Sequence, residues 1–153
     1  MRNQIQQIQK EVISWNGVTS SPHRFGGIEF RFGDAEIGHL HLGGTLDIPF
    51  PISVRKQLLE EGLVEPHHYV PNSGWVTFRA AADNVPRALW LLQLSYLRYA
   101  LKATRKLEPS GGPRTDALLA TLESLQASPA LRQVFSELVR LVPRDTEAKE
   151  QPA

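Results

Sequence analysis

The chain contains no cysteine and a single methionine among its 153 residues. Without thiols it can form no disulfide, thiolate metal site or cysteine nucleophile, a composition that suits a reducing compartment. Charge of one sign is equally scarce, with 17 Lys and Arg against 16 Asp and Glu and a net charge of +1. So balanced a chain lacks the attraction on which non-specific nucleic-acid binding depends, and nucleic acid is not an expected partner. Long apolar runs are missing too. The opening MRNQIQQIQK has no signal-peptide core, and no stretch approaches the roughly 18 apolar residues of a membrane span. The expectation is a cytoplasmic protein with no membrane partner. There is no GxGxxG, no phosphate loop ending in Gly-Lys-Ser/Thr, no HExxH and no Ser-centred nucleophile elbow, so the commonest cofactor and hydrolase signatures are excluded.

What is present is an ordinary globular balance, with 41% hydrophobic and 22% charged residues. Ile5, Ile8, Val12 and Trp15 recur at helical spacing, which predicts an amphipathic helix up to Trp15 that Asn16-Gly17 ends. Ile28, Phe30 and Phe32 alternate with Glu29 and Arg31, and Gly33-Asp34 turns the chain into a second alternating run from Ala35 to Leu42, an antiparallel hairpin. A strict period of two would place Ile37, His39 and His41 on one face and Gly38, Leu40 and Leu42 on the other. Pro49 and Pro51 predict an irregular loop over Thr45–Pro51, followed by a helix over Ser53–Glu61 that Gly62 stops. In the next strand Trp75, Thr77 and Arg79 oppose Val76 and Phe78. Asp83 or Asn84 then caps a long apolar helix with Pro86 in its first turn, running to about Arg105.

The order of elements predicts an α+β fold, a two-layer antiparallel sheet packed by helices, with a C-terminal helical hairpin. Residues 1–106 form the α+β domain, 107–113 a linker, 114–142 the hairpin and 143–153 a disordered tail. The hairpin helices, around Asp116–Gln126 and Ala130–Val142, are expected to face each other, Leu118, Leu119, Leu122 and Leu125 against Leu131, Val134, Phe135, Leu138 and Leu141. They also offer a surface for a homo-oligomer.

All five histidines fall between His23 and His68. His39 and His41, two apart on a strand, would present imidazoles about 7 Å apart to one face, and His67 or His68 could complete a three-nitrogen set. Such a set suits a metal, with His39, His41 and His67 as ligands, or a metal-free site in which imidazole is the general base. Trp75 and Arg79 share a strand face and could supply an aromatic wall and an anion-holding guanidinium. Ser21-Pro22-His23-Arg24-Phe25-Gly26-Gly27 reads as a mobile loop over a pocket. The blander reading makes the histidines surface or backbone-bonded strand residues, and Glu60-Glu61 solubility charges.

The runs Gly17-Val18-Thr19-Ser20, His23-Arg24-Phe25-Gly26-Gly27, Glu36-Ile37-Gly38-His39-Leu40-His41, Asp47-Ile48-Pro49-Phe50-Pro51, Glu65-Pro66-His67-His68 and Ser73-Gly74-Trp75-Val76 resemble the small bacterial proteins of the fungal-luciferase domain family. The Trp75–Tyr96 stretch also resembles MmcQ/YjbR-like two-layer domains. The luciferase resemblance implies oxidation of a hydroxylated α-pyrone, or a similar flat acidic aromatic, by O₂ as co-substrate and without an organic cofactor. It implies His39, His41 and His67 as catalytic residues. The family's Glu-Ile-x-His-x-His motif is matched by Glu36, Ile37, His39 and His41, and its strand-opening Trp by Trp75; with Trp75, the residues His23, Arg24, Phe25, His68 and Arg79 are the expected substrate-binding ones. Unlike the fungal enzymes, this sequence has no apolar membrane anchor and carries extra C-terminal helices. Two other readings stay open: a non-catalytic small-ligand or interaction domain using the same pocket, and a His-ligated metalloprotein.

Overall fold

The computed structural model describes residues 2–23, 26–67, 69–70 and 72–138, which form an α+β fold. Helix α1 (Arg2–Val12) buries Ile5, Ile8 and Val12, the stripe its spacing predicts. It ends three residues before Trp15, because the chain tightens into i→i−3 bonds (Ser14 N–H to Glu11, Trp15 N–H to Val12) that turn it toward the sheet. Trp15 instead packs on Tyr96, ring centroids 5.5 Å apart.

Strands β1 (Val18–Pro22), β2 (Ile28–Phe32), β3 (Ala35–Leu40), β4 (Thr45–Pro49), β5 (Glu65–Pro66) and β6 (Trp75–Arg79) form one antiparallel sheet in the order β1-β2-β3-β4-β6-β5. The β2–β3 hairpin and β6 follow their alternation. Three strands depart from the sequence reading. β1 takes Ser21 and Pro22 out of the expected loop, because their partners on β2 satisfy the backbone. β4 replaces the irregular segment: Pro49 lies at the strand end, where a missing N–H interrupts no central ladder bond. β5 is too short for any periodicity to reveal.

β3 also breaks the strict alternation. The register shifts between Phe30 and Arg31, which leaves Ile37 and Gly38 opposite Phe30. Ile37 therefore turns into the core with Leu40, while Glu36 takes its place beside His39 on the other face. The strand stops at Leu40, and Leu42 is exposed in the turn that follows. Gly27, at φ +88°, lies against this hairpin: a Cβ there would stand 2.2 Å from the Leu40 carbonyl oxygen and 2.9 Å from His41 Cα. Only glycine permits that approach.

Helix α2 (Ile52–Glu60) buries Val54 and Leu58 and is stopped at Gly62, φ +71°. Helix α3 (Val85–Leu107) crosses one sheet face, meeting β2, β3 and β4 and flanked by α1. Leu91, Leu92, Leu94 and Leu97 of α3 close over Phe30, Ile37, Leu40, Leu46, Ile48 and Val76 to make the core. Each such side chain contributes about 1.5–3 kcal/mol of burial. Asn84 occupies the N-cap position, but its side chain binds the Ala81 N–H and the Arg79 carbonyl instead of the helix.

Helices α4 (Pro113–Ser124) and α5 (Pro129–Leu138) follow. Their principal packing is not on each other: α4 lies on α3 and α5 on α2. Burying leucines on the existing core gains more apolar contact than pairing two short helices. Glu108, expected in the linker, accepts the Thr115 N–H and hydroxyl and the Arg114 N–H at the start of α4. These bonds hold its carboxyl below the usual range. Glu61 is no idle charge, since it accepts from Gln57 and from Ser128, joining α2 to the start of α5. Residues 139–142 of the expected hairpin and the 143–153 tail lie outside the described residues.

Candidate functional site

The helices cover one face of the sheet, and the opposite face carries a row of polar side chains. Partner by partner, Ser21, Glu29, His39, Asp47, Thr77 and Glu65 face one another across all six strands. Directly paired positions on one face bring side chains into contact, so one register places a histidine between two carboxylates. The middle of the row opens into a cavity of about 920 Å³ that also receives Glu36, His41, His67 and Trp75.

Asp47 is the centre. Its Oδ2 lies 3.2 Å from His39 Nε2, 2.9 Å from His41 Nε2 and 3.5 Å from His67 Nε2. Its Oδ1 accepts the Thr77 hydroxyl at 2.7 Å. Burial alone would raise its carboxyl, but the donors His39, Thr77 and His41 and the nearby His67 hold it far below the usual carboxylate range.

His39 is held at both ring nitrogens, with Nδ1 2.9 Å from Glu36 Oε2 and Nε2 facing Asp47. Burial pulls its pKa down, yet the bonds to Asp47 and Glu36 outweigh it and raise the imidazole to about 9. Carboxylates only accept, so His39 donates from both nitrogens as an imidazolium and keeps no lone pair for a proton. His67 accepts the Tyr69 N–H at Nδ1, 3.1 Å away, which leaves its Nε2 as a donor toward Asp47. His41 differs: Nε2 faces Asp47, and among the described residues Nδ1 carries no hydrogen bond.

A second layer backs the first. The His23 ring stacks on His39 at 4.0 Å, nearly parallel, and its Nε2 lies 3.9 Å from Glu29 Oε1. Burial, then the neighbouring His39, lower the His23 pKa. Glu29 in turn is bonded by Arg31. Trp75 forms the aromatic wall, its ring 5.4 Å from His39 and 6.1 Å from His67.

The structure thus brings together His23, His39, His41, His67 and Trp75 of the residues singled out from sequence. Arg79 stands at the rim, its side chain 69% exposed and 3.8 Å from Glu65. Arg24, Phe25 and His68 lie outside the described residues. Asp47, Thr77 and Glu29 are site residues to which the sequence reading gave no role, and Glu36 entered it only through the Glu36–His41 run that carries the resemblance. Asp47 had a usable signal: one acid between Leu46 and Ile48, which is unusual for a solvated loop.

The protein is thus an α+β domain that carries a histidine–carboxylate cavity on the uncovered face of its sheet. Residues 34–95 match the family model described as Luciferase domain, so that stretch is similar to the luciferase-domain family. The matched stretch contains Glu36, His39, His41, Asp47, His67, Trp75 and Thr77, whereas His23 and Glu29 precede it. No curated protein and no solved structure matches the chain, so the MmcQ/YjbR resemblance stands on sequence alone. Among the described residues no helix is long and apolar enough to cross a membrane.

Proposed function

We propose that this protein is a luciferase-like oxygenase, oxidising a flat, acidic hydroxylated aromatic or α-pyrone with O₂ in the cavity around Asp47. The observation that carries this reading is the convergence of three imidazoles on Asp47 Oδ2 within the family-matched stretch. Among the three imidazoles His41 suits the role of base, because Asp47 orients its Nε2–H and Nδ1 is left to take a proton. His39, a fixed imidazolium, suits an anion: it would stabilise the deprotonated substrate and the negative charge that moves onto oxygen. Trp75 gives the flat ring a stacking surface.

In the reaction so read, His41 takes the substrate proton. The resulting carbanion or enolate passes two electrons to O₂ as a carbon–oxygen bond forms. The proton then returns to the terminal oxygen, so that substrate and O₂ together give a hydroperoxide. Arg79 and Glu65 at the mouth would sort ligands by charge.

The test is oxygen uptake with a panel of hydroxylated pyrones and phenols. His41→Ala should lower uptake by about 10²–10⁴-fold, and Trp75→Leu should raise KM more than it lowers kcat. Tight binding of such ligands with no change in air, across the panel, would replace the oxygenase reading with that of a ligand-binding domain.

A further inference from the structure

The cavity contains two groups of possible metal donors, one of His39, His41 and Asp47 and the other of His23, Glu36 and His39. Geometry separates them. The His23 and His39 rings are stacked 16° from parallel, so their in-plane lone pairs run side by side instead of meeting at a point. The His39 and His41 rings are 85° apart, and both Nε2 atoms aim at Asp47 Oδ2.

Two donors each about 2.1 Å from one ion stand ~3.0 Å apart at a right angle and ~3.4 Å apart at a tetrahedral angle. The observed 3.2 Å from Asp47 Oδ2 to His39 lies within that range, and the 2.9 Å to His41 stands at its right-angle limit to within about 0.1 Å. The outer partners fit as well. Glu36 holds Nδ1 of His39, which aims Nε2 as a ligand atom, and Thr77 fixes the second oxygen of Asp47. His67 falls outside the set because its Nδ1 accepts the Tyr69 N–H, placing the ring proton on Nε2.

We propose that His39, His41 and Asp47 bind one divalent transition-metal ion, and that the ion is ferrous iron. Two imidazoles and one carboxylate with open positions form the donor set that serves iron in oxygen chemistry. The cavity leaves room for a ligand beside it. The inference rests on the reading of this cavity as the reactive site and deepens it: the cation takes the place of the imidazole protons that otherwise satisfy Asp47. When bound, it supplies a Lewis acid for the substrate oxyanion, and the base role of His41 becomes dispensable.

The test is titration of chelator-treated full-length protein with Co²⁺, read by visible ligand-field bands, followed by displacement with Fe²⁺ and Zn²⁺. Bands should saturate at one equivalent per chain and bleach on displacement. They should be lost in His41→Ala, whose half-exposed side chain leaves the core intact, and kept in His67→Ala. Glu36→Gln should weaken binding by about 10–100-fold without abolishing the bands. Circular dichroism confirms that each variant is folded. No bands in the wild type, undiminished binding in folded His41→Ala, or complete loss in His67→Ala would each overturn the proposal. Oxygen uptake by chelated protein that shows no bands would remove the metal and leave the oxygenase reading standing. Bands without any oxygen uptake would do the reverse.

Discussion

Each cavity residue's chemistry is set by which of its atoms are already engaged. His39 and His41 are two positions apart in sequence, yet one is closed at both nitrogens and the other at one. In metal-free protein this gives a pH window. His39 has a folded pKa raised to about 9, so its contribution is fully present below the ordinary histidine value near 6.5 and is lost as pH rises through about 9. Asp47 is depressed, so its contribution is present above the ordinary carboxylate range and is lost as pH falls. The two are one coupled network, and thermal melts of chelated protein should show a single plateau that declines toward pH 9. His39→Gln should flatten the alkaline decline. A melt that is level between pH 6 and 9 in the wild type would contradict the described pairing.

At the scale of elements, the helices beyond the sheet are joined to it by a few polar bonds as well as by leucines. Ser128 accepts the Leu131 N–H at the start of α5 while donating to Glu61 at the end of α2. Ser128→Ala removes both bonds and should cost about 1 kcal/mol, a fall in Tm of ~2–4 °C by calorimetry. Activity should stay unchanged, because these residues do not line the cavity. The helices α1, α2 and α3 were legible because apolar spacing and Gly62 speak locally. The capping of α3 and the pairing of α4 with α5 were not. Asn84 finds better partners in the preceding turn, and the leucines of α4 and α5 find more apolar surface on α3 and α2.

For the whole molecule, an open sheet face supports the site and a closed one supports the fold. Removing a cavity side chain therefore need not disturb the Leu, Ile and Phe core behind it. Metal binding should appear as added global stability, since an ion that binds only the folded chain stabilises it by mass action. At 100 times its Kd this amounts to about 2.7 kcal/mol. Differential scanning calorimetry with and without Co²⁺ should show the rise in wild type and none in His41→Ala.

Local sequence determined the class of the fold, the β2–β3 hairpin, the alternation of β6 and the gathering of histidines before residue 69. Spacing and composition act over a few residues, so they are readable there. Only tertiary structure decided that Asp47 is the centre of the site, that Glu36 replaces Ile37 beside His39, and that His39 and His41 hold different protons. Those facts depend on a register shared across six strands and on one bulge opposite Phe30. A one-residue slip in register moves every side chain to the other face, and no single strand's sequence records which partner it will meet.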